Sequence, residues 1–240
     1  VEAESLVKKF SETYHKPATS TSGGEFYLIR GQTLDVDSHR VALPPGKILT
    51  PEMFCFHYGT GSEGWHQNFV EKLCTKERSL SILEGPPGTG KTFYLRYLMG
   101  ELTKSHRFYF IPASNLKVLS RPDFIDFWNA QRALYSNRQF VVILEDSDAG
   151  LMTRGADNRE QVSTILNLSD GLLGDFLRLH IVCTINCSSA QIDPALLRPG
   201  RLLCHRIFNR LDYAQAVRLA EKLGRTLPVV RDYSLGEVMV

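Results

Sequence analysis

The segment Gly85-Pro86-Pro87-Gly88-Thr89-Gly90-Lys91-Thr92 constrains this chain more than any other stretch. It matches G-x-x-x-x-G-K-[ST] at every fixed position, and it lies between the apolar run Leu80-Ser81-Ile82-Leu83 and a helical stretch over Phe93 to Leu102. Strand, glycine-rich turn and helix in that order are what a phosphate cradle requires. The glycines let the backbone curl until successive N–H groups face phosphate oxygens. The helix that opens near Lys91 adds the positive end of its dipole. Lys91 has the length to reach β- and γ-phosphates, and the Thr92 hydroxyl is a hard oxygen donor suited to magnesium. Gly85 through Phe93 are therefore the expected ATP-binding residues, with Mg2+ as the accompanying ion.

The rest of the chain repeats the alternation. Apolar runs at Ser79–Glu84, Phe108–Pro112, Phe140–Leu144, Leu179–Ile185 and Cys204–Phe208 read as strands. Between and around them, residues from Trp65 to Leu73, Phe124 to Leu134, Val162 to Leu173 and Tyr213 to Leu223 carry helical spacing. Unbroken apolar strands separated by helices predict an α/β fold, a mostly parallel sheet with helices on both faces. The start of the chain reads differently. Leu6, Val7 and Phe10 form an amphipathic start, Pro17 to Gly24 a polar loop, Phe26–Ile29 and Val36–Val41 two short strands, and Pro44-Pro45-Gly46 a break. This divides the chain into an N-terminal segment (1–53), a nucleotide-binding core (54–211) and a C-terminal part (212–240).

Charge and cysteine usage narrow the setting. With 28 basic against 26 acidic residues the net charge is +2, so no basic footprint indicates nucleic-acid binding. The five cysteines are widely spaced with no C-x-x-C, which fits reduced thiols in a cytoplasmic compartment rather than disulfides or a zinc site. No apolar run reaches the roughly 18 residues that span a bilayer. The first residue is Val1 rather than Met, so the sequence is read as a piece of a longer one, with any targeting or anchoring signal outside it.

The second chemical site is Val141-Val142-Ile143-Leu144-Glu145-Asp146, a buried strand that delivers two adjacent carboxylates at its C-terminal end. Open α/β sheets hold ligands at that end. One carboxylate can hold magnesium and the other can orient and deprotonate an attacking water.

With those residues in view, the chain from about Phe54 to Leu223 resembles the AAA family of P-loop ATPases. The resemblance rests on GPPGTGKT, on VVILEDSDA, on Asn158 to Gly171 ending in Leu-Ser-Asp-Gly, on Ile181-Val182-Cys183-Thr184-Ile185-Asn186, and on Ile192-Asp193-Pro194-Ala195-Leu196-Leu197-Arg198-Pro199-Gly200-Arg201. It implies a five-stranded sheet in the order 5-1-4-3-2 and a small C-terminal helical lid, for which residues 212–240 leave little chain. It implies that Asn186 is a polar sensor of the γ-phosphate or attacking water. It also implies that Arg198 and Arg201 are arginine fingers inserted into a neighbouring subunit's site, so that the chain works as a hexamer-like ring of identical copies. The family's acidic pair usually runs Asp then Glu. Here it is Glu145 then Asp146, as in the Leu-Glu-Asp of mitochondrial Rieske-protein translocases, and magnesium is assigned to Glu145 and water activation to Asp146.

The loop that faces the pore in ring-forming members corresponds to Ala113–Leu119, where no aromatic occurs. Leu116, Val118 and Leu119 either grip a substrate beside Lys117 or pack toward the next helix. A second inward loop over Gly150 to Arg159 offers Arg154 and Arg159, and Tyr58 and Gly59 lie where the family's adenine pocket begins. Three uses of the site stay open: a ring ATPase remodelling a partner macromolecule, a low-turnover switch or scaffold, and a nucleic-acid-directed ATPase. The identity of any protein substrate or adaptor is outside what these residues specify.

Overall fold

The computed structural model describes residues 25–31, 36–43, 49, 51–153, 158–198 and 200–240. The readings at Leu6, Val7 and Phe10, at Pro17 to Gly24, at Pro44-Pro45-Gly46, and at Arg154 and Pro199 lie outside them. Strand β1 (Glu25–Gly31) pairs antiparallel with β2 (Val36–Ala42), and helices α1 (Pro51–Tyr58) and α2 (Ser62–Thr75) follow. Then come β3 (Ser79–Glu84), α3 (Lys91–Leu102), β4 (His106–Ile111), a 3-10 turn (Ala113–Ser120) and α4 (Asp123–Leu134). Next are β5 (Gln139–Leu144), α5 (Asp148–Leu151), α6 (Arg159–Asp170), α7 (Leu172–Leu177) and β6 (Leu179–Ile185). The chain ends with β7 (Leu202–Ile207), α8 (Tyr213–Lys222) and α9 (Leu235–Met239).

Among the described residues the sheet has seven strands in the order β2-β1-β4-β5-β6-β3-β7. Its five core strands, β3 to β7, run parallel in the expected 5-1-4-3-2 order. The expected strand count is corrected by the N-terminal hairpin: β1 adds parallel to β4 through Tyr27 and Leu28 and carries β2 with it, so the sheet has seven strands where five were expected. The reason is that β4 is an edge in a five-stranded sheet, and an open edge is satisfied by another strand.

The central strands are apolar throughout because both faces are covered. On β5, Val142 and Leu144 enter a core with Trp128, Phe124 and Ile165, while Val141 and Ile143 enter a second core with Leu73, Tyr94 and Leu98. Alternate residues thus anchor helices on opposite faces, and the loops between them emerge at the strands' C-terminal edge. The helix expected over Val162–Leu173 breaks at Gly171, where a Cβ would stand 2.8 Å from the Asn167 carbonyl oxygen, and resumes as α7. A third, smaller cluster joins Leu211, Leu219, Tyr233, Leu235 and Val238, with Met53, Phe56 and Tyr58 packed against it. The C-terminal residues are therefore tied to α1 rather than extended.

Candidate functional site

The P-loop leaves β3 at Gly85, whose N–H donates to the Ile185 carbonyl at 3.1 Å. Gly85 has φ +155, and a Cβ there would lie 2.3 Å from the Phe208 carbonyl oxygen, so only glycine fits beside the neighbouring strand. Gly90 has φ +96 and sits immediately before α3, where a Cβ would meet Leu235 at 2.6 Å. The Tyr58 hydroxyl donates to the Gly90 carbonyl at 3.1 Å, which fixes the turn from the other side.

Lys91 opens α3 and is buried, its ammonium donating to the carbonyls of Gly85 (2.5 Å) and Pro86 (3.1 Å) and to Asn186 Oδ1 (2.9 Å). Burial lowers its pKa, and the carboxylates of Asp146, Asp148 and Glu145 pull the other way. Loop carbonyls and a neutral amide are modest partners for a cation, so phosphate oxygens are the stronger ligand for this lysine.

The acidic pair splits across this loop. The Thr92 hydroxyl donates to Glu145 Oε1, while Asn186 Nδ2 donates to Asp146 Oδ1 at 2.9 Å. Asn186 therefore bridges Lys91 and Asp146. Its own position is set by Asp148, whose Oδ1 accepts the N–H groups of Asn186 (2.8 Å) and Cys187 (2.7 Å). Burial works to raise the Asp148 pKa, but those backbone donors outweigh it and hold the carboxyl below its ordinary range. Asp146 itself has φ +48, its N–H donating to Thr184 Oγ1 at 3.0 Å. A non-glycine residue in the left-handed region is held by its surroundings, and such residues collect at functional sites.

Lys91, Thr92, Asp146 and Asn186 form one wall of a cleft of about 860 Å³ whose other wall is mostly apolar: Leu49, Met53, His57, Leu235 and Met239. The C-terminal helix reaches it because the Gly236 N–H donates to the Gly88 carbonyl at 2.9 Å. Arg96, one helical turn after Thr92, lines the same space. The sequence reading missed all of these. Arg96 was recoverable from i, i+4 spacing on α3; the apolar wall has no local signal, since its residues come from both sides of the core.

The two arginines of the Arg198 to Arg201 turn do not line this cleft. Arg198 is exposed. Arg201 is held within its own chain, Nε donating to Asp170 Oδ2 at 2.7 Å and NH1 to the Ala195 carbonyl at 3.0 Å. Leu116, Val118 and Leu119 are buried in the main core, which decides between their two readings in favour of packing and leaves Lys117 exposed. Arg159 is exposed at the start of α6. Among the described residues no cluster of three or more His, Cys, Asp or Glu side chains forms a metal cage, and no helix is long and apolar enough to cross a membrane.

Residues 81–210, more than half of the chain, match the family described as the ATPase family associated with various cellular activities (AAA). A protein of Corynebacterium jeikeium described as an AAA ATPase forming ring-shaped complexes is 30% identical over 166 residues, covering 64% of this chain and 32% of its own length. The ATP-dependent zinc metalloprotease FtsH of Hahella chejuensis is 30% identical over 65% of this chain and 26% of its own. The mitochondrial chaperone BCS1 of Bos taurus is 32% identical over 65% of this chain and 41% of its own. The chain thus spans between 26% and 41% of the length of these relatives.

Proposed function

The chain belongs to the AAA family of ATPases, and on that footing we propose that it binds and hydrolyses Mg-ATP within a ring of identical copies and couples hydrolysis to remodelling a partner macromolecule. The observation that carries the chemical part is the split of the acidic pair: Glu145 on Thr92, Asp146 on the Asn186 that also holds Lys91. Thr92 and Glu145 are adjacent oxygen donors, a set that fits magnesium completed by phosphate oxygens and water. When bound there, magnesium neutralises charge on the β- and γ-phosphates.

The residues then divide the work. The P-loop N–H groups and Lys91 hold the phosphates. Asp146 accepts the proton of a water as its oxygen bonds to the γ-phosphorus and the bond to the β-phosphate oxygen breaks. Asn186 positions that water or the γ-phosphate, and Asp148 holds Asn186 through its backbone N–H. Arg198, exposed and outside its own cleft, supplies a guanidinium to a neighbour's γ-phosphate, an effect worth roughly 10³ to 10⁵ in rate. Arg201, tied to Asp170, holds the turn from which Arg198 projects. The relative described as forming ring-shaped complexes supports assembly. The domain division at 53/54 and 211/212 and a reducing, cytoplasmic setting for the five free thiols belong to the same reading.

Steady-state hydrolysis measured against protein concentration tests this. Activity should rise more than proportionally with concentration and collapse in Arg198→Ala, with a smaller loss in Arg201→Ala. The reversed acidic pair favours a second reading, a low-turnover switch, and flat, negligible hydrolysis at every concentration in the parent chain would select it.

A further inference from the structure

The N-terminal hairpin does more than cover an open strand edge. Its register against β4 runs through Tyr27 and Leu28, so the next residue, Ile29, comes level with Ile111, the last residue of β4. There Asn115 Nδ2 donates to the Ile29 carbonyl at 3.3 Å, tying the Ala113–Ser120 turn to the hairpin. The neighbouring Leu116 is buried and meets Gly150 of α5, where a Cβ would stand 2.7 Å from Leu116 Cδ1. Real side chains do not approach so closely, so turn and helix interlock only because Gly150 has no side chain. The Gly150 backbone is helical and makes no demand for glycine; the packing does. Helix α5 begins at Asp148, whose carboxylate accepts the N–H groups of Asn186 and Cys187. Ser147, just before it, is stitched to β6, its N–H and hydroxyl donating to the Thr184 carbonyl at 3.0 and 3.1 Å. Asn186 in turn holds Lys91 and Asp146.

We propose that Leu116 is a positioning residue for hydrolysis, and that the N-terminal hairpin sets the place of Asn186 through Asn115, Leu116, Gly150 and Asp148. The inference rests on the reading of Asn186 and Asp146 as hydrolytic groups and adds what holds them from outside the cleft. Neither Ile29 nor Leu116 lines that cleft, so the link is mechanical. Close-packed interiors compress little and pass a shift on to their neighbours, and each link here is one direct contact. When β1 moves along β4, the Ile29 carbonyl carries Asn115 with it, and Leu116 presses on α5 or withdraws from it. Helix α5 yields only together with Asp148, whose two hydrogen bonds hold the Asn186 backbone. A shift there turns the Asn186 amide away from Asp146 and Lys91. The P-loop N–H groups stand on β3 and α3 and take no part in this chain of contacts. A macromolecule that engages the hairpin therefore changes turnover and leaves the hold on the phosphates as it was.

The test is kinetic and starts from Gly150→Ala, whose methyl group takes the place of Leu116 Cδ1 and pushes turn and helix apart. The expected result is about 10-fold lower kcat, with the Kd for a non-hydrolysable ATP analogue and magnesium unchanged. Adding Leu116→Val, which has no δ-carbon, should recover most of the loss. In an Asn186→Ala background Gly150→Ala should cost nothing further, because its effect runs through that amide. Parental kcat in Gly150→Ala overturns the proposal. So do an equal loss in both backgrounds, no recovery with Leu116→Val, or a loss of analogue affinity that matches the loss of kcat. Asn115→Ala, which frees the turn from the hairpin, should lower kcat about 3-fold at unchanged Kd; parental kcat there also overturns the proposal, since the hairpin then has no hold on the site. If the parent chain hydrolyses no ATP, the hydrolytic reading itself has failed, and nitrogen NMR decides the linkage alone. The Asn186 side-chain amide signal must move in Asn115→Ala and in Gly150→Ala, and return toward the parent with Leu116→Val. Should Gly150→Ala not fold, the same signal in Asn115→Ala decides, and a signal that stays still overturns the assignment.

Discussion

The phosphate wall of the cleft and its apolar wall differ in where their residues come from and in how those residues are held. The phosphate wall is drawn from the C-terminal ends of β3, β5 and β6, adjacent parallel strands in register. Its polar side chains are held by hydrogen bonds: Asp148 accepts the backbone N–H of Asn186, the Asn186 amide bonds Lys91 and Asp146, and Thr92 donates to Glu145. The apolar wall joins Leu49, Met53 and His57 to Leu235 and Met239, residues from opposite ends of the chain. Its one polar member, His57, has no hydrogen-bond partner among the described residues. A preorganised polar network suits a wall that must stabilise charge, because its dipoles are already aimed before the reaction. A wall assembled from distant parts suits a surface whose shape depends on how the C-terminal helix seats on the P-loop.

The comparison can be broken first at the phosphate wall. Asp146→Asn should lower turnover by roughly 10² to 10⁴ with ATP affinity retained, as measured by steady-state hydrolysis and equilibrium binding. Glu145→Gln should instead shift the magnesium concentration needed for activity. Parental turnover in Asp146→Asn would reassign the base.

At the apolar wall, Leu235→Ala should cost about 2–5 kcal/mol of stability, since Leu235 is buried in the small C-terminal cluster. Denaturant unfolding measures this. If the walls are independent, inorganic triphosphate binding survives in the folded fraction; if seating of α9 on Gly88 shapes the P-loop, it does not.

The smallest effect is in acid. The His57 pKa falls from the ordinary 6.5 to about 4 in the folded chain, so the unfolded chain takes up the proton first. The contribution is fully present above pH 6.5 and is lost as pH falls toward 4, with a slope of at most about 1.4 kcal/mol per pH unit. His180, lowered to about 3 by burial, adds a slope of the same sign. Thermal midpoints across this range should flatten in His57→Phe. The same variant should be more stable at neutral pH, because it removes an unpartnered buried group.

These contrasts also explain what could be read in advance. Gly85 to Thr92 and Glu145-Asp146 were legible because the chemistry of a phosphate site demands particular residue types at strand ends, and period-2 and period-3.6 patterns locate those ends, whereas Asn186 was reached only through the family resemblance. Leu116, Val118 and Leu119 could not be decided from spacing, since an aliphatic in a turn reads alike whether it faces a pore or a core. The two N-terminal strands were visible as strands, but nothing in Phe26–Ile29 says which edge they join. Arg201 was legible as an arginine in a Pro-Gly turn, whereas its ion pair with Asp170 depends on α6 ending beside that turn.

By itself the amino-acid sequence determined the core strand alternation, the phosphate cradle and the carboxylates facing it, because each is written in residues close along the chain or in patterns with a short period. Tertiary structure alone decided that the hairpin closes the β4 edge, that the C-terminal helix seats on Gly88, and that His57 is buried beside the cleft with no hydrogen-bond partner among the described residues. Those outcomes depend on contacts between residues far apart in sequence, and such contacts leave no periodic trace in the chain that makes them.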